Sequence, residues 1–207
     1  MSITASMVKT LREKTGVGMM ECKKALMETQ GNIEEAQDYL RKKGLADASK
    51  RSGRSTSEGI IESYIHMGGQ IGVMVELQCE TDFVARNEQF QSLARDIAMH
   101  IAAVAPQYVS KDEVPEDVVN KEKEILMAQP DMASKPENIR EKIIVGRIEK
   151  FYEQVCLLNQ PFVKDPDTKV EDMIKSAIST IGENIRVERF VRFALGETTS
   201  SEGASEE

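Results

Sequence analysis

The chain has 207 residues, a formal net charge of −8, 40% hydrophobic and 30% charged residues, and no tryptophan; that length suits one medium domain with a small satellite, and the acidity argues against bulk nucleic-acid binding, which demands clustered Lys and Arg. The charge is uneven, because residues 1–54 hold 11 Lys/Arg against 7 Asp/Glu while the remainder holds 16 against 28, which leaves a basic N-terminal piece fit for an acidic partner. Cys22, Cys79 and Cys156 are scattered and form no C-x-x-C, which opposes a disulfide framework or a zinc knuckle, and no apolar run reaches the length of a signal sequence or of a membrane span (about 18 residues), so a cytoplasmic setting with no membrane partner is expected.

Residues 4–43 read as three short helices. Thr4 caps the first, which buries Val8 and Leu11 and breaks at Gly16-Val17-Gly18. The second starts near Met19 and buries Ala25 and Leu26; Asn32 with Glu35 makes a capping-box start for the third, which carries Ile33, Ala36 and Leu40 and is expected to stop at Gly44. Residues 45–58 are basic and Ser-rich and read as a linker that can be partly helical. A strand over 60–65, a Gly68-Gly69 turn, and an alternating strand with Ile71, Val73, Val75 and Leu77 on one face follow.

After the run 81–87, an amphipathic helix over 87–104 places Phe90, Leu93, Ala94, Ile97, Ala98, Ile101 and Ala102 on one face. Pro115 and Pro136 open two helices over 116–128 and 137–152, an antiparallel hairpin. A strand is expected at 155–158, a helix at 170–180, and a strand at 185–195 with Ile185, Val187, Val191, Phe193 and Leu195 on one face; Arg189 and Phe190 break that alternation and admit a bulge. The tail 197–207, rich in Ser and Glu, reads as disordered. The whole is an α+β fold: a three-helix module (1–44), a linker (45–58), and an α+β core (59–196) with a small antiparallel sheet and an inserted helical hairpin (116–152).

Motifs for chemistry are missing. There is no P-loop, Gly16-Val17-Gly18 follows no strand and lacks a third glycine, and His66 and His100 are too few for a metal site, so neither a cofactor nor a catalytic residue is expected. A thiol enzyme using Cys79 with His66 or His100 is the enzymatic rival, set against an inert core cysteine. RNA binding through Lys50, Arg51 and Arg54 has only three basic residues behind it.

Two segments stand out. Thr81-Asp82-Phe83-Val84-Ala85-Arg86-Asn87 joins a strand to a helix; either Asp82 caps and Phe83 packs inward, or Phe83 stands outward as an interface anchor beside a carboxylate. In Gly16-Val17-Gly18-Met19-Met20, the methionines either fill the small core or form an adaptable surface patch.

The run Leu11–Leu26 (LREKTGVGMMECKKAL) resembles the first signature of the elongation factor Ts family, and Cys79–Asn87 (CETDFVARN) resembles its second. The resemblance continues in order through residues 97–103 (IAMHIAA), 158–163 (LNQPFV) and 181–185 (IGENI), almost the whole chain except the tail. It implies a ubiquitin-associated-like N-terminal module and a non-enzymatic factor that frees GDP from the GTPase elongation factor Tu. By resemblance, Asp82 and Phe83, flanked by Thr81 and Val84, push into the GTPase domain near its magnesium site; Arg12, Met19 and Met20 contact the same domain, and His66 contacts another. Long family members carry two tandem copies of the core region. This chain carries one, which is similar to the short form and implies a homodimer, with the strand at 185–195 as the candidate pairing surface. A peptide- or ubiquitin-binding adaptor, based on the three-helix module alone, is the rival that leaves 81–87 unexplained.

Overall fold

A computed structural model describes residues 3–132 and 135–197. Helix α1 (Ala5–Thr15) starts where the Met7 N–H donates to Thr4 Oγ1 at 3.3 Å, and ends at Gly16, whose φ of 68° lets its N–H turn back to the Arg12 carbonyl. Helix α2 (Met19–Glu28) follows Gly18. Helix α3 (Ile33–Arg51) opens on an Asn32 cap: Asn32 Oδ1 accepts from the Glu34 and Glu35 N–H groups, while Glu35 Oε1 accepts at 2.8 Å from Asn32 Nδ2 and not from the Asn32 backbone N–H, which donates to the Thr29 carbonyl. Val8, Leu11, Cys22, Ala25, Leu26, Ala36 and Leu40 make a small core of their own, and Lys43 pairs with Glu21 to tie α3 to α2, holding the Glu21 carboxyl below its usual range.

Helix α3 does not stop at Gly44. It runs on to Arg51, so residues 45–51, expected as linker, are helical. Gly44 serves close approach here instead of a left-handed cap: a Cβ on it would lie 2.6 Å from Ser179 Oγ, on the helix that α3 crosses. Lys50 and Arg51, in the last turn, complement the negative end of the helix dipole.

Strands β1 (Glu58–Ile65), β2 (Ile71–Cys79) and β5 (Arg186–Ala194) form an antiparallel sheet in the order β1-β2-β5. Gly68 and Gly69, both at positive φ, close the β1–β2 turn. Val73, Val75, Leu77 and Cys79 alternate onto the buried face of β2, as the period of two demands. A short helix α4 (Asp82–Ala85) leads into α5 (Glu88–Val104), which covers that face with Phe90, Leu93, Ala94, Ile97 and Ile101, and helix α8 (Val170–Ile181) adds Val170, Ile174 and Ile178 to the same core.

The bulge in β5 is real and changes which face its side chains take. Glu76 pairs with Arg189 but Leu77 pairs with Val187, so Glu188 is the extra residue. Ile185 and Val187 are buried, whereas Val191, Phe193 and Leu195 emerge on the opposite, exposed face, contrary to the single face expected.

The helical hairpin consists of α6 (Glu116–Met127) and α7 (Glu137–Val155), with a separate core that includes Val119, Leu126, Met132, Ile144 and Ile148. The strand expected at 155–158 is absent: α7 runs through Val155 and one 3₁₀ turn covers Leu157–Asn159. That run is apolar because it bridges two cores, Val155 and Cys156 packing in the hairpin and Leu157 in the main core. A small hairpin of β3 (Pro161–Phe162) and β4 (Asp165–Lys169), not anticipated, precedes α8. Of the tail expected to be disordered, 198–207 lies outside the described residues.

His100, fully buried on α5, is held by structure alone. Its Nδ1 accepts from the Val163 N–H at 3.2 Å, so the neutral ring carries its proton on Nε2 and donates to Gln160 Oε1 at 3.0 Å; Gln160 Nε2 donates onward to the Gln154 carbonyl at 2.8 Å. Burial lowers the His100 pKa. The unfolded chain therefore takes up a proton near pH 6.5 that the native chain refuses, so this contribution to stability is complete above about pH 6.5 and is lost as pH falls below it. Urea unfolding between pH 7.5 and 5.5 should show a falling free energy of unfolding; a profile that is flat or rises on acidification contradicts the assignment.

Candidate partner-binding surface

The segment after β2 is built to hold an aromatic ring in solvent. Thr81 caps α4, with the Val84 N–H 3.4 Å from its Oγ1. Helical rotation then sends Ala85 into the core and Val84 against it, while Phe83, about 100° away around the axis, is 79% exposed. Phe83 thus stands outward and is not a core residue. Asp82 stands beside it, bridged to Arg86 at 3.0 Å.

The turn is pinned from outside its own segment. Glu183 Oε2 accepts from the Glu80 N–H at 3.1 Å and the Thr81 N–H at 3.0 Å, and Glu183 Oε1 accepts from the Thr81 hydroxyl at 2.7 Å. In return, Glu80 Oε1 accepts from the Asn184 N–H at 2.7 Å, with Arg54 Nη1 at 3.4 Å. Asn184 Nδ2 donates to the carbonyls of Ser52 and Arg54, just past the end of α3. The sequence reading missed Glu183 and Glu80 as site-building residues. Glu183 lies about a hundred positions from Thr81, and no local pattern reports so distant a contact.

Cys79 closes the turn from below, its thiol donating to the Thr81 carbonyl at 3.2 Å. Burial, with the Glu183 charge second, pushes the Cys79 pKa up to about 11, and burial does the same to Cys156. A nucleophilic thiol needs the opposite shift. Neither histidine is bonded to Cys79: His100 is committed to Gln160 and Val163, and His66 bonds the Tyr64 hydroxyl at 3.1 Å. Among the described residues, no group of three or more His, Cys, Asp or Glu is arranged to hold a metal.

The other expected contact residues lie elsewhere. Arg12 is exposed on α1, and Met19 and Met20, 55% and 67% exposed, stand out at the start of α2 while Cys22, Ala25 and Leu26 fill the module's core. His66 sits exposed in the β1–β2 turn beside Met67. That turn and the Phe83 turn are at opposite ends of β2, about 26 Å apart at the usual strand rise. His66 and Phe83 therefore lie on separate patches, while Arg12, Met19 and Met20 belong to the N-terminal module.

A family model described as "Elongation factor TS" matches residues 4–197. The chain belongs to the elongation factor Ts family. It is 60% identical over 197 residues to the elongation factor Ts of Geobacter sulfurreducens and 61% identical over 197 residues to that of Geobacter metallireducens, in each case covering 95% of this chain and 91% of the relative. The elongation factor Ts of Carboxydothermus hydrogenoformans is 57% identical over 195 residues, 94% of this chain and 90% of the relative. Membership places the chain among the factors of translation elongation. Among the described residues, no helix of this family member is long and apolar enough to cross a membrane.

The elevated thiol pKa values carry a simple expectation. In native protein at pH 7.5, iodoacetamide should leave Cys79 and Cys156 unmodified, read by mass spectrometry, and should label both after denaturation. Rapid labelling of Cys79 in the native protein would return the thiol-enzyme reading to contention.

Proposed function

We propose that this protein is a guanine nucleotide exchange factor that binds elongation factor Tu carrying GDP and promotes release of the nucleotide, acting as a binding protein and not as an enzyme. The observation that carries this reading is Phe83, an aromatic side chain held 79% exposed on a pinned turn. Thr81, Asp82, Phe83 and Val84 supply the wedge toward the nucleotide domain; Arg12, Met19 and Met20 supply a second contact, and His66 a third. The adaptor reading gives Phe83 no task. A cytoplasmic location follows from the proposed partner.

The energetics fit a binder without bond chemistry. A nucleotide held at nanomolar affinity is bound by about −12 kcal/mol, and with an association rate of about 10⁶ M⁻¹s⁻¹ it leaves at about 10⁻³ s⁻¹. Speeding release about a thousandfold requires lowering the barrier by about 4 kcal/mol. Binding the nucleotide-poor conformation of the partner more tightly than the loaded one supplies this, and disturbing the magnesium ion between phosphate and protein is an efficient route because that ion is the largest local charge. Phe83 needs only to occupy space that the loaded GTPase requires.

A second copy of the chain is proposed on the outer face of the sheet. The bulge at Glu188 sends Val191, Phe193 and Leu195 out beside Met74, Ile61 and Ile65, with Phe193 opposite Gly72 across the strand pair. A contiguous apolar sheet face of this kind is suited to face-to-face packing at about 10 Å.

Two results test these statements. Phe83→Ala should keep the wild-type unfolding midpoint but slow factor-stimulated GDP release about 30-fold, the effect of losing an anchor worth about 2 kcal/mol; unchanged exchange kinetics would remove Phe83 from the mechanism. In light scattering the wild type should have twice the chain mass and Phe193→Glu the mass of one chain, whereas a wild-type monomer would refute the paired sheets.

A further inference from the structure

A helix as short as α4 (Asp82–Ala85) has no stability of its own, since fixing one turn costs more conformational freedom than its hydrogen bonds return. Something outside must hold it, and the described contacts name what does. One carboxylate, that of Glu183, gathers three donors at the entrance to α4: the N–H groups of Glu80 and Thr81 and the Thr81 hydroxyl, at 3.1, 3.0 and 2.7 Å. A charged acceptor makes such bonds stronger than a neutral one does. Glu183 is aimed there by its own surroundings. Gly182, at φ 93°, ends α8 and lets the chain turn sharply, and the next residue, Asn184, is fastened by its backbone to Glu80 and by its side chain to Ser52 and Arg54.

We propose that Glu183 is a positioning residue for nucleotide exchange: its carboxylate holds the Glu80–Thr81 backbone so that Phe83 meets the partner already in its working orientation. The inference rests on the exchange-factor reading and deepens it. A loose turn would present the ring correctly only part of the time, and activity falls with that fraction. Encounter is less affected, because Arg12, Met19, Met20 and His66 lie on other elements, and the tie from this node to the segment after α3 runs through Asn184 and not through the Glu183 carboxylate. Loss of Glu183 should therefore lower the rate reached at saturating factor far more than it raises the concentration needed for half-saturation.

Charge at position 183 is separable from hydrogen-bond geometry. In Glu183→Gln, the single amide oxygen can still accept both backbone N–H groups while its NH₂ donates to the Thr81 hydroxyl oxygen. A residue that positions the turn tolerates this exchange. A carboxylate that acts on the partner through its charge does not.

The test is stopped-flow release of a fluorescent GDP analogue from elongation factor Tu over a range of factor concentrations, with wild type, Phe83→Ala, Glu183→Ala, Glu183→Gln and Thr81→Val. Glu183→Ala should lower the saturating rate about tenfold with less than about a threefold change in half-saturation, and Glu183→Gln should stay within about twofold of wild type. Thr81→Val, which removes the hydroxyl that both donates to Glu183 and caps α4, should fall between them; if Glu183→Ala does not fold, a wild-type rate in Thr81→Val overturns the proposal, and an impaired rate supports it only when the amide hydrogens of residues 80 and 81 also exchange faster. A second readout needs no partner: the amide hydrogens of residues 80 and 81 should exchange faster in Glu183→Ala and at the wild-type rate in Phe83→Ala. A wild-type saturating rate in Glu183→Ala, or in Thr81→Val where the alanine variant is unfolded, overturns the proposal, as does equal impairment of Glu183→Gln and Glu183→Ala. If wild type itself fails to accelerate release, the exchange-factor reading falls, and this inference with it. If wild type is active and Phe83→Ala is impaired while the Glu183 variants are not, only the inference falls.

Discussion

Two carboxylates that each accept hydrogen bonds from the other's segment hold the molecule's parts in register. Glu183 accepts from the backbone of Glu80 and Thr81; Glu80 accepts from the backbone of Asn184. Asn184 then reaches the carbonyls of Ser52 and Arg54. The segment just past α3, the end of β2, the chain leading into β5 and the turn that carries Phe83 thus meet at one polar node. The bonds matter most because they satisfy backbone groups at chain reversals, where no ladder or helix would pair them. With the close approach of Gly44 to Ser179, this node makes the orientation of the N-terminal module relative to Phe83 a property of the fold.

The sheet built on that node has two different faces. One is sealed by α5 and α8 over Val73, Val75, Leu77 and Cys79. The other carries Ile61, Ile65, Met74, Val191, Phe193 and Leu195 in the open. The extra residue in β5 creates the second face, because a shift of one position inverts every side chain that follows. Exposed large apolar side chains also stand at Phe83, at Met19 and Met20, and at Met67, with others on the helical hairpin such as Ile125 and Val145. Exposed apolar side chains on rigid elements suit a protein that grips a partner at several points.

Local signals in the sequence were legible wherever the cause of the structure was local. Thr4, the Asn32 cap, the glycine pair at the β1–β2 turn and the apolar stripe of α5 each act within a few residues, and each appears where its pattern put it. The failures have distant causes. Gly44 looked like a helix terminator because its packing partner, Ser179, is far along the chain. Residues 155–158 looked like a strand because burial between two cores leaves the same apolar run as burial in a sheet. The phase of β5 past Glu188 depended on its pairing with β2. At the candidate site, sequence alone left Phe83 and Met20 divided between core and surface, and only the packing of Val84 and Ala85 and of Cys22 and Leu26 sends them outward. Glu183 stayed hidden for the same reason as Ser179: nothing near it in the chain declares whom it holds.

The central claim is that this protein drives GDP off elongation factor Tu by preferring the nucleotide-poor conformation, and such a preference must be reciprocal. The most direct test is the affinity of the purified protein for elongation factor Tu, measured by titration calorimetry with the nucleotide removed and again at saturating magnesium–GDP. The account predicts markedly weaker binding when GDP is present, by the same factor by which this protein weakens GDP binding in the converse titration. Equal affinity in the two states would contradict it, because a ligand that does not discriminate between two states of its partner cannot shift the balance between them.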